Sequence, residues 1–217
     1  MSDTQLKNAA FSVRLQNDLR MGRMVYICAP FGWGKEMQVR QFLQKAETGS
    51  FCWHKGGGLP ADPEVLLVLE EPDQNEVLQK FLAQRLNEQK RTILLSRTPA
   101  SEFLSSFLAS GQMVLYQAQD LTPGPEEIQD YYKEQGIVVR YWDLIQISRD
   151  FFNMPFCIYV LEKYLREAGG HYGKSLRNRC LEEIYHYYQM TEFCRFSVEE
   201  QDILLQLSWF DEISMEL

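Results

Sequence analysis

The residues best suited to chemistry lie in the segment 24–37, MVYICAPFGWGKEM. An apolar run of β-forming side chains is followed by a turn rich in proline and glycine, then by Lys35 and an amphipathic helical pattern. Backbone N–H groups in such a turn, together with the N-terminus of the next helix, form a cradle for an anion. A lysine at the joint adds a point charge for phosphate oxygens. The segment therefore predicts a phosphate-binding loop.

The predicted loop departs from the usual P-loop pattern at two positions. A serine or threonine that ligates Mg²⁺ normally follows the lysine, but this chain has Glu36 there, and Ala29 stands where the loop usually opens with glycine. A carboxylate beside phosphate oxygens adds like-charge repulsion, unless it ligates the metal itself or turns to solvent. We therefore expect weak or lost binding of ATP or ADP with Mg²⁺, and slow or absent hydrolysis. The residues expected to contact the nucleotide are Pro30, Gly32, Trp33, Gly34, Lys35, Glu36 and Met37.

Polar side chains also follow two apolar strand patterns. VLLVL is followed by Glu70 and Glu71, and TILLS is followed by Arg97. Acids at the carboxyl end of a strand suit a Mg²⁺ ligand or a group that positions water. An arginine at a neighbouring strand end can sense a γ-phosphate. We predict catalytic roles for Glu70, Glu71 and Arg97 and a metal role for Glu70; solvated turn residues are the alternative interpretation.

Alternating strands and helices must position these groups. Apolar strands separated by helices imply an α/β fold, a P-loop NTPase-like parallel sheet with helices on both faces. The predicted strands are 24–28, 50–54, 65–69, 92–95 and 113–116, and the predicted helices among them are 35–45, 75–89 and 102–109. The eleven residues 54–64 do not read as a helix, although a crossover between parallel strands usually contains one.

The second half of the chain is helical. LTPGP at 121–125 breaks the alternation, and apolar positions then recur at helical spacing. The predicted helices are 126–134, 142–152, 155–168, 176–188 and 198–207. The pattern predicts an α/β domain over 1–120, a smaller all-α subdomain over 121–195 and a further segment over 196–217. The last residues form an unfinished apolar pattern, which favours a chain cut from a longer protein.

Composition limits the function classes. The 22 basic residues are scattered against 30 acidic ones, for a net charge of −8, so this part of the protein is a poor direct DNA binder. The five cysteines form no CxxC pair, which disfavours a cysteine metal site or a disulfide framework. No apolar run is long enough for a membrane span, and no secretory signal is apparent. We expect a cytoplasmic protein that does not enter a membrane.

The order of these motifs resembles a known family. APFGWGK resembles the AP-x-G-x-GK(T/S) loop of the MalT-like, LuxR-type transcriptional regulators, which belong to the signal transduction ATPases with numerous domains (STAND). LLVLEEP resembles their Walker B strand, TILLSRTP their sensor strand, and LTPGPEEIQDYY the helix that opens their helical subdomain. Asn153-Met154-Pro155 lies where a Gly-x-Pro motif is expected. The segment 196–217 resembles the start of a winged-helix region.

The resemblance implies a regulatory domain that rests with ADP bound and opens with ATP. DNA binding would belong to a C-terminal domain outside this chain, and the resemblance also implies a small-molecule inducer and self-association. It assigns Lys35 to phosphate, Glu70 to the metal, Arg97 to the γ-phosphate and Pro155 to the base. The departures at Glu36, Glu70 and Asn153 suggest that nucleotide binding and hydrolysis are no longer strictly required. A pseudo-ATPase scaffold for protein partners and a small active P-loop ATPase are the alternatives.

Overall fold

The computed structural model describes residues 6–45, 50–56, 58–61 and 63–208. The helices and strands alternate through the first half of the chain, and helices alone follow. The strands are β1 Met24–Cys28, β2 Phe51–Lys55, β3 Leu66–Glu70, β4 Thr92–Ser96 and β5 Met113–Tyr116. The helices are α1 Ala9–Arg20, α2 Lys35–Lys45, α3 Glu76–Asn87, α4 Glu102–Ala109, α5 Pro125–Glu134, α6 Tyr141–Phe151, α7 Pro155–Glu167, α8 Lys174–Thr191 and α9 Val198–Leu207.

The five strands form one parallel sheet in the order β2-β3-β4-β1-β5. Parallel register brings Cys28 of β1 opposite Ser96 of β4, and Glu70 of β3 opposite Leu95 of β4. The three strands β3, β4 and β1 are direct neighbours, so their carboxyl ends lie side by side. The predicted α/β fold with a parallel sheet is confirmed, and the sheet brings the three predicted motifs to one edge.

Both faces of the sheet are covered because alternate strand residues point to opposite sides. One face packs against α1 and α2, and the other against α3 and α4. A separate apolar cluster joins α5, α6, α7 and α8. The predicted domain boundaries near residues 120 and 195 stay predictions.

The connection from β2 to β3 is short. Its described residues contain no helix. The guanidinium of Arg85 hydrogen-bonds to the backbone where this connection enters β3. The Arg85 side chain is fully buried and donates to the carbonyls of Pro63 at 2.8 Å and Val65 at 3.1 Å. It also donates to the carbonyl of Arg91 and the hydroxyl of Thr92, both at 2.9 Å. A side chain from α3 thus satisfies backbone acceptors at the start of β3 and β4.

Helix α1 is not among the predicted elements. Asn8 caps it, accepting from the backbone N–H of Phe11 at 2.9 Å, and Phe11, Leu15 and Leu19 form its buried face. The Asn8 amide also donates to the carbonyls of Asp120 and Thr122, which ties α1 to the chain beyond β5. An N-cap asparagine followed by apolar residues four apart is the sequence signal for this helix.

The last described helix, α9, contains no buried residue. Its bounds coincide with those predicted, whereas the rest of the predicted winged-helix segment, 209–217, lies outside the described residues. Among the described helices, none combines the length and the apolar character that a membrane crossing requires.

Candidate functional site

The loop between β1 and α2 has the backbone geometry of an anion cradle. Gly32 and Gly34 have φ of +89° and +72°, values that residues with a Cβ rarely adopt, so the turn depends on glycine. The backbone N–H of Ala29 donates to the carbonyl of Ser96 at 3.1 Å, which fixes the start of the loop on β4. Helix α2 begins at Lys35. The positive end of its dipole therefore faces the loop.

Lys35 is buried against its own loop. Its ammonium donates to the carbonyl of Ala29 at 3.1 Å and lies 3.8 Å from Oε1 of Glu71. Burial lowers the pKa of Lys35, and the charge of Glu71 partly offsets that effect. The side chain places a cation within reach of any anion that enters the cradle.

Glu70 lies at the end of β3 and is engaged by neighbouring side chains. Trp53 Nε1 donates to its Oε2 at 3.0 Å, and the Lys55 ammonium donates to its Oε1. The neighbouring Glu70 carboxylate raises the pKa of Glu36, and burial adds to this effect. Burial alone would raise the pKa of Glu70, but the interactions with Glu36, Lys55 and Trp53 lower it below its ordinary value.

Glu71 and Arg97 form a second charged group beside Lys35. Glu71 has a φ of 50°, and its Oε2 accepts from the backbone N–H of Arg97 at 3.1 Å. The Arg97 Nε lies 3.4 Å from Glu71 Oε1, while its Nη1 donates to Glu192 at 2.9 Å. Glu192 follows α8, so Arg97 connects the end of β4 to the helical part of the chain.

A cavity of about 300 Å³ opens over the loop. Its walls come from the loop, the first turn of α2, the end of β4 and the start of α7. They are Pro30, Phe31, Gly32, Gly34, Lys35, Glu36, Met37, Arg97, Pro155, Phe156 and Tyr159. The structure thus brings together eight of the predicted site residues. Trp33 instead packs against the core on the α1 and α2 face of the sheet, and Glu70 and Glu71 do not line the cavity.

Sequence reasoning missed the aromatic cover of the loop. Phe31 stacks on Tyr187 with ring centroids 5.5 Å apart and meets Phe156 and Tyr188 edge to face. The hydroxyl of Tyr188 donates to the carbonyl of Phe31 at 3.1 Å, and the backbone N–H of Phe156 donates to the carbonyl of Gly32 at 3.0 Å. Phe31, an aromatic residue inside a glycine loop, is the one local sequence signal for such a contact.

The metal role predicted for Glu70 stays a prediction. Both Glu70 oxygens already accept from protein donors, Lys55 on Oε1 and Trp53 on Oε2. Within the described parts of the chain, no three His, Cys, Asp or Glu side chains are placed to hold a metal ion. The donor set therefore does not fit a divalent cation without displacing Lys55.

Replacing Gly32 with alanine is expected to loosen the loop from α7 and α8. A Cβ there would lie 2.5 Å from Met154 Cε and 2.9 Å from the Tyr188 hydroxyl, at a positive φ. We expect Gly32→Ala to lower the free energy of unfolding by about 2 kcal/mol, from backbone strain and crowding together. Chemical denaturation measures this change.

Gly22→Ala is the matched control. Gly22 has a φ of +73°, but nothing lies within 4 Å of a Cβ there. Its cost, about 1 kcal/mol, reports backbone strain alone. Equal costs for the two variants would contradict a close contact between the loop and the helices.

The comparisons with known proteins concern the fold. No protein-family model and no curated protein matches the sequence. Among solved structures, a STAND protein with a tetratricopeptide repeat sensor from Pyrococcus horikoshii matches with a TM-score of 0.50 at 15% identity. The match covers 96% of this chain and 36% of that one, so the chain spans about a third of that protein's length.

Two structures of Drosophila ORC bound to DNA and Cdc6 give TM-scores of 0.37 and 0.36 at 13% identity. They cover 81% and 82% of this chain and 79% and 84% of theirs, and likeness at this level carries no conclusion about function. Together with the five-stranded parallel sheet and the glycine loop at the carboxyl end of its first strand, the match shows that this chain has a P-loop-type α/β fold like that of the STAND protein.

Proposed function

We propose that this chain is the nucleotide-binding regulatory domain of a signal-transduction ATPase, with ATP or ADP bound over the glycine loop. The observation that carries the proposal is the cavity. One wall presents the loop and Lys35, a second presents Arg97, and a third presents the apolar side chains of Pro155, Phe156 and Tyr159. Cationic groups beside an apolar wall suit a ligand with a phosphate chain and a flat base.

The residues have separate roles in this proposal. The backbone N–H groups of the loop and Lys35 bind the phosphates, and Arg97 contacts the terminal phosphate. Pro155 packs on the base. Glu71 holds Arg97 through its backbone and its guanidinium, so Glu71 is a positioning residue.

Slow or absent hydrolysis is part of the proposal. A base that activates water needs a free carboxylate near the terminal phosphate. The Glu70 carboxylate is nearly fully buried and hydrogen-bonded to Trp53 and Lys55, and Glu71 is engaged by Arg97. The domain would then pass between its ADP-bound and ATP-bound states by nucleotide exchange rather than by hydrolysis.

A role in a LuxR-type, MalT-like transcriptional regulator is the finer part of the proposal. It is supported by the order of the sequence motifs and by the STAND-like fold. DNA binding, an inducer site and self-association would then involve regions outside this chain. A helix-turn-helix encoded in the same gene, downstream of the codon for Leu217, is the observation that tests this part.

A calorimetric titration of the protein with ATP, ADP and AMP tests the nucleotide site. We expect dissociation constants between about 10 µM and 1 mM for ATP and ADP, or about −7 to −4 kcal/mol, and weaker binding of AMP. The phosphate chain supplies most of the contacts, which sets this order. Absence of heat and of any thermal shift at millimolar nucleotide would refute the site.

A protein-interaction scaffold is the second candidate. The existing partners of the two cations favour it. Lys35 donates to the carbonyl of Ala29 and Arg97 donates to Glu192, so neither cation needs a phosphate as its partner. A scaffold would give no heat with any nucleotide and would still fold cooperatively. The third hypothesis is an active ATPase, which would release phosphate from ATP above background.

Freeing Arg97 from Glu192 is expected to strengthen nucleotide binding. The Arg97–Glu192 pair is partly exposed, with side-chain exposures of 36% and 21%. An entering phosphate must compete with that carboxylate for the guanidinium. We expect Glu192→Gln to raise the ATP affinity three- to tenfold, or by about 0.6 to 1.4 kcal/mol, in the same titration. The neutral amide keeps the size of the side chain and removes the competing charge.

Glu167→Gln serves as the control for this change. Glu167 forms an exposed pair with Arg179, 2.9 Å apart and away from the cavity, so its removal leaves the site intact. Unchanged or weaker ATP binding by Glu192→Gln would show that Glu192 does not compete for Arg97.

A further inference from the structure

At the end of β2, the Lys55 ammonium lies between two acidic side chains beside the loop, Glu36 and Glu70. Lys55 is the last residue of β2, and parallel pairing places it opposite Glu70. Its ammonium contacts Glu70 Oε1 and lies 3.6 Å from Glu36 Oε1. A single ammonium thus bridges the residue that follows the loop lysine and the acid that ends β3.

The surrounding residues hold this arrangement in place. The indole of Trp53 donates to the second oxygen of Glu70, and the guanidinium of Arg40 lies 3.9 Å from the centre of the Trp53 ring. The Glu70 side chain is only 4% exposed, whereas that of Lys55 is 68% exposed. A buried carboxylate needs a partner, and a lysine with a solvated stem supplies it at little desolvation cost.

The two acids occupy positions where a P-loop site would place its metal ligands. Glu36 stands in the sequence position of the usual hydroxyl ligand, and Glu70 ends the acidic strand. A divalent cation between them would have to displace the Lys55 ammonium and bring +2 to a place where a +1 charge already sits. The donors therefore do not fit a metal while Lys55 is present.

We propose that the Lys55 ammonium replaces the divalent cation at this loop. The ammonium balances the two carboxylates in the place of a metal ion, so the nucleotide binds as the metal-free polyphosphate. The ligand part of this inference rests on the proposed function. The metal part concerns Lys55, Glu36 and Glu70 alone.

Mn²⁺ added to the protein without nucleotide tests the metal part. Electron paramagnetic resonance of free Mn²⁺ measures how much of the ion is bound. We expect the wild type to leave Mn²⁺ free at 1 mM. Lys55→Met, which keeps the stem and removes the charge, is expected to bind one Mn²⁺ at least tenfold more tightly. Adding Glu70→Gln to Lys55→Met should remove that site.

Two controls address charge and folding. Lys80→Met removes a similarly exposed lysine, which pairs with Glu76 on α3, and should behave as the wild type. Lys55→Arg keeps a cation and should also leave Mn²⁺ free. Circular dichroism before each measurement verifies folding. Binding of Mn²⁺ by the wild type as tightly as by Lys55→Met would overturn the proposal, as would a Lys55→Met variant that binds none.

An ATP titration in EDTA and in Mg²⁺ tests the ligand part. We expect the wild-type affinity to differ less than threefold between the two solutions. Lys55→Met should bind at least tenfold more weakly in EDTA and recover in Mg²⁺. A wild type that requires Mg²⁺ for ATP would overturn the inference. A wild type that binds ATP in neither solution would refute the nucleotide site, and the Mn²⁺ result would still decide the role of Lys55.

Discussion

Arg85→Ala is expected to lower the free energy of unfolding by about 4 kcal/mol. The guanidinium is fully buried and donates to three backbone carbonyls and one hydroxyl at the start of β3 and β4. Removing it leaves the buried Thr92 hydroxyl and the half-buried carbonyls of Pro63 and Val65 without this donor, at about 1 to 3 kcal/mol for each unsatisfied group, and creates a cavity. The sum lies at the upper end of single-site effects, because several buried and half-buried groups depend on one side chain.

Urea denaturation of the wild type and the variant measures this difference. Lys80→Ala, at an exposed position of the same helix, should change stability by less than about 0.5 kcal/mol. Arg85→Lys keeps the charge but lacks the planar fork, so it should recover less than half of the loss. A loss below 1 kcal/mol for Arg85→Ala would mean that other groups or water satisfy the carbonyls.

The sequence predicts the framework of this fold well for a physical reason. Buried parallel strands are apolar throughout, and helices on a sheet repeat every three to four residues, so both patterns are visible locally. The helices after residue 124 fall within a few residues of their predicted bounds, as α5 at Pro125–Glu134 and α7 at Pro155–Glu167 show. The carboxyl ends of neighbouring parallel strands share an edge, so strand order alone gathers Lys35, Glu70 and Arg97.

The interaction partners of those residues depend on tertiary structure, and the local sequence does not indicate which residues they are. Glu192 is 95 residues from Arg97, and nothing near it marks it as a partner. Arg85 stands on a helical pattern where charge normally indicates a solvated face, yet it is completely buried. Val77 shows the opposite case, since it fits the apolar spacing of α3 but is 63% exposed. Residue type alone predicts neither placement.

Lys35→Met is expected to weaken ATP binding about 100-fold, which corresponds to about 2.7 kcal/mol. Hydrogen bonds to a charged group contribute about 1.5 to 3 kcal/mol, and the ammonium lies at the helix start beside the cradle. Methionine keeps the length of the buried stem. Because burial lowers the pKa of Lys35, the folded state gains little from its charge, and we expect stability to change by less than about 1 kcal/mol.

The two lysines of the site should differ in how they respond to metal. Lys35 is expected to contact the phosphates directly, so Lys35→Met should lose affinity equally in EDTA and in Mg²⁺. Lys55 balances Glu36 and Glu70, so Mg²⁺ should compensate for its loss and not for that of Lys35. Calorimetry of both variants in both solutions separates the roles. Recovery of Lys35→Met by Mg²⁺ would place Lys35, rather than Lys55, in the position of the counter-cation, and equal losses for both lysines would mean that each contacts the nucleotide.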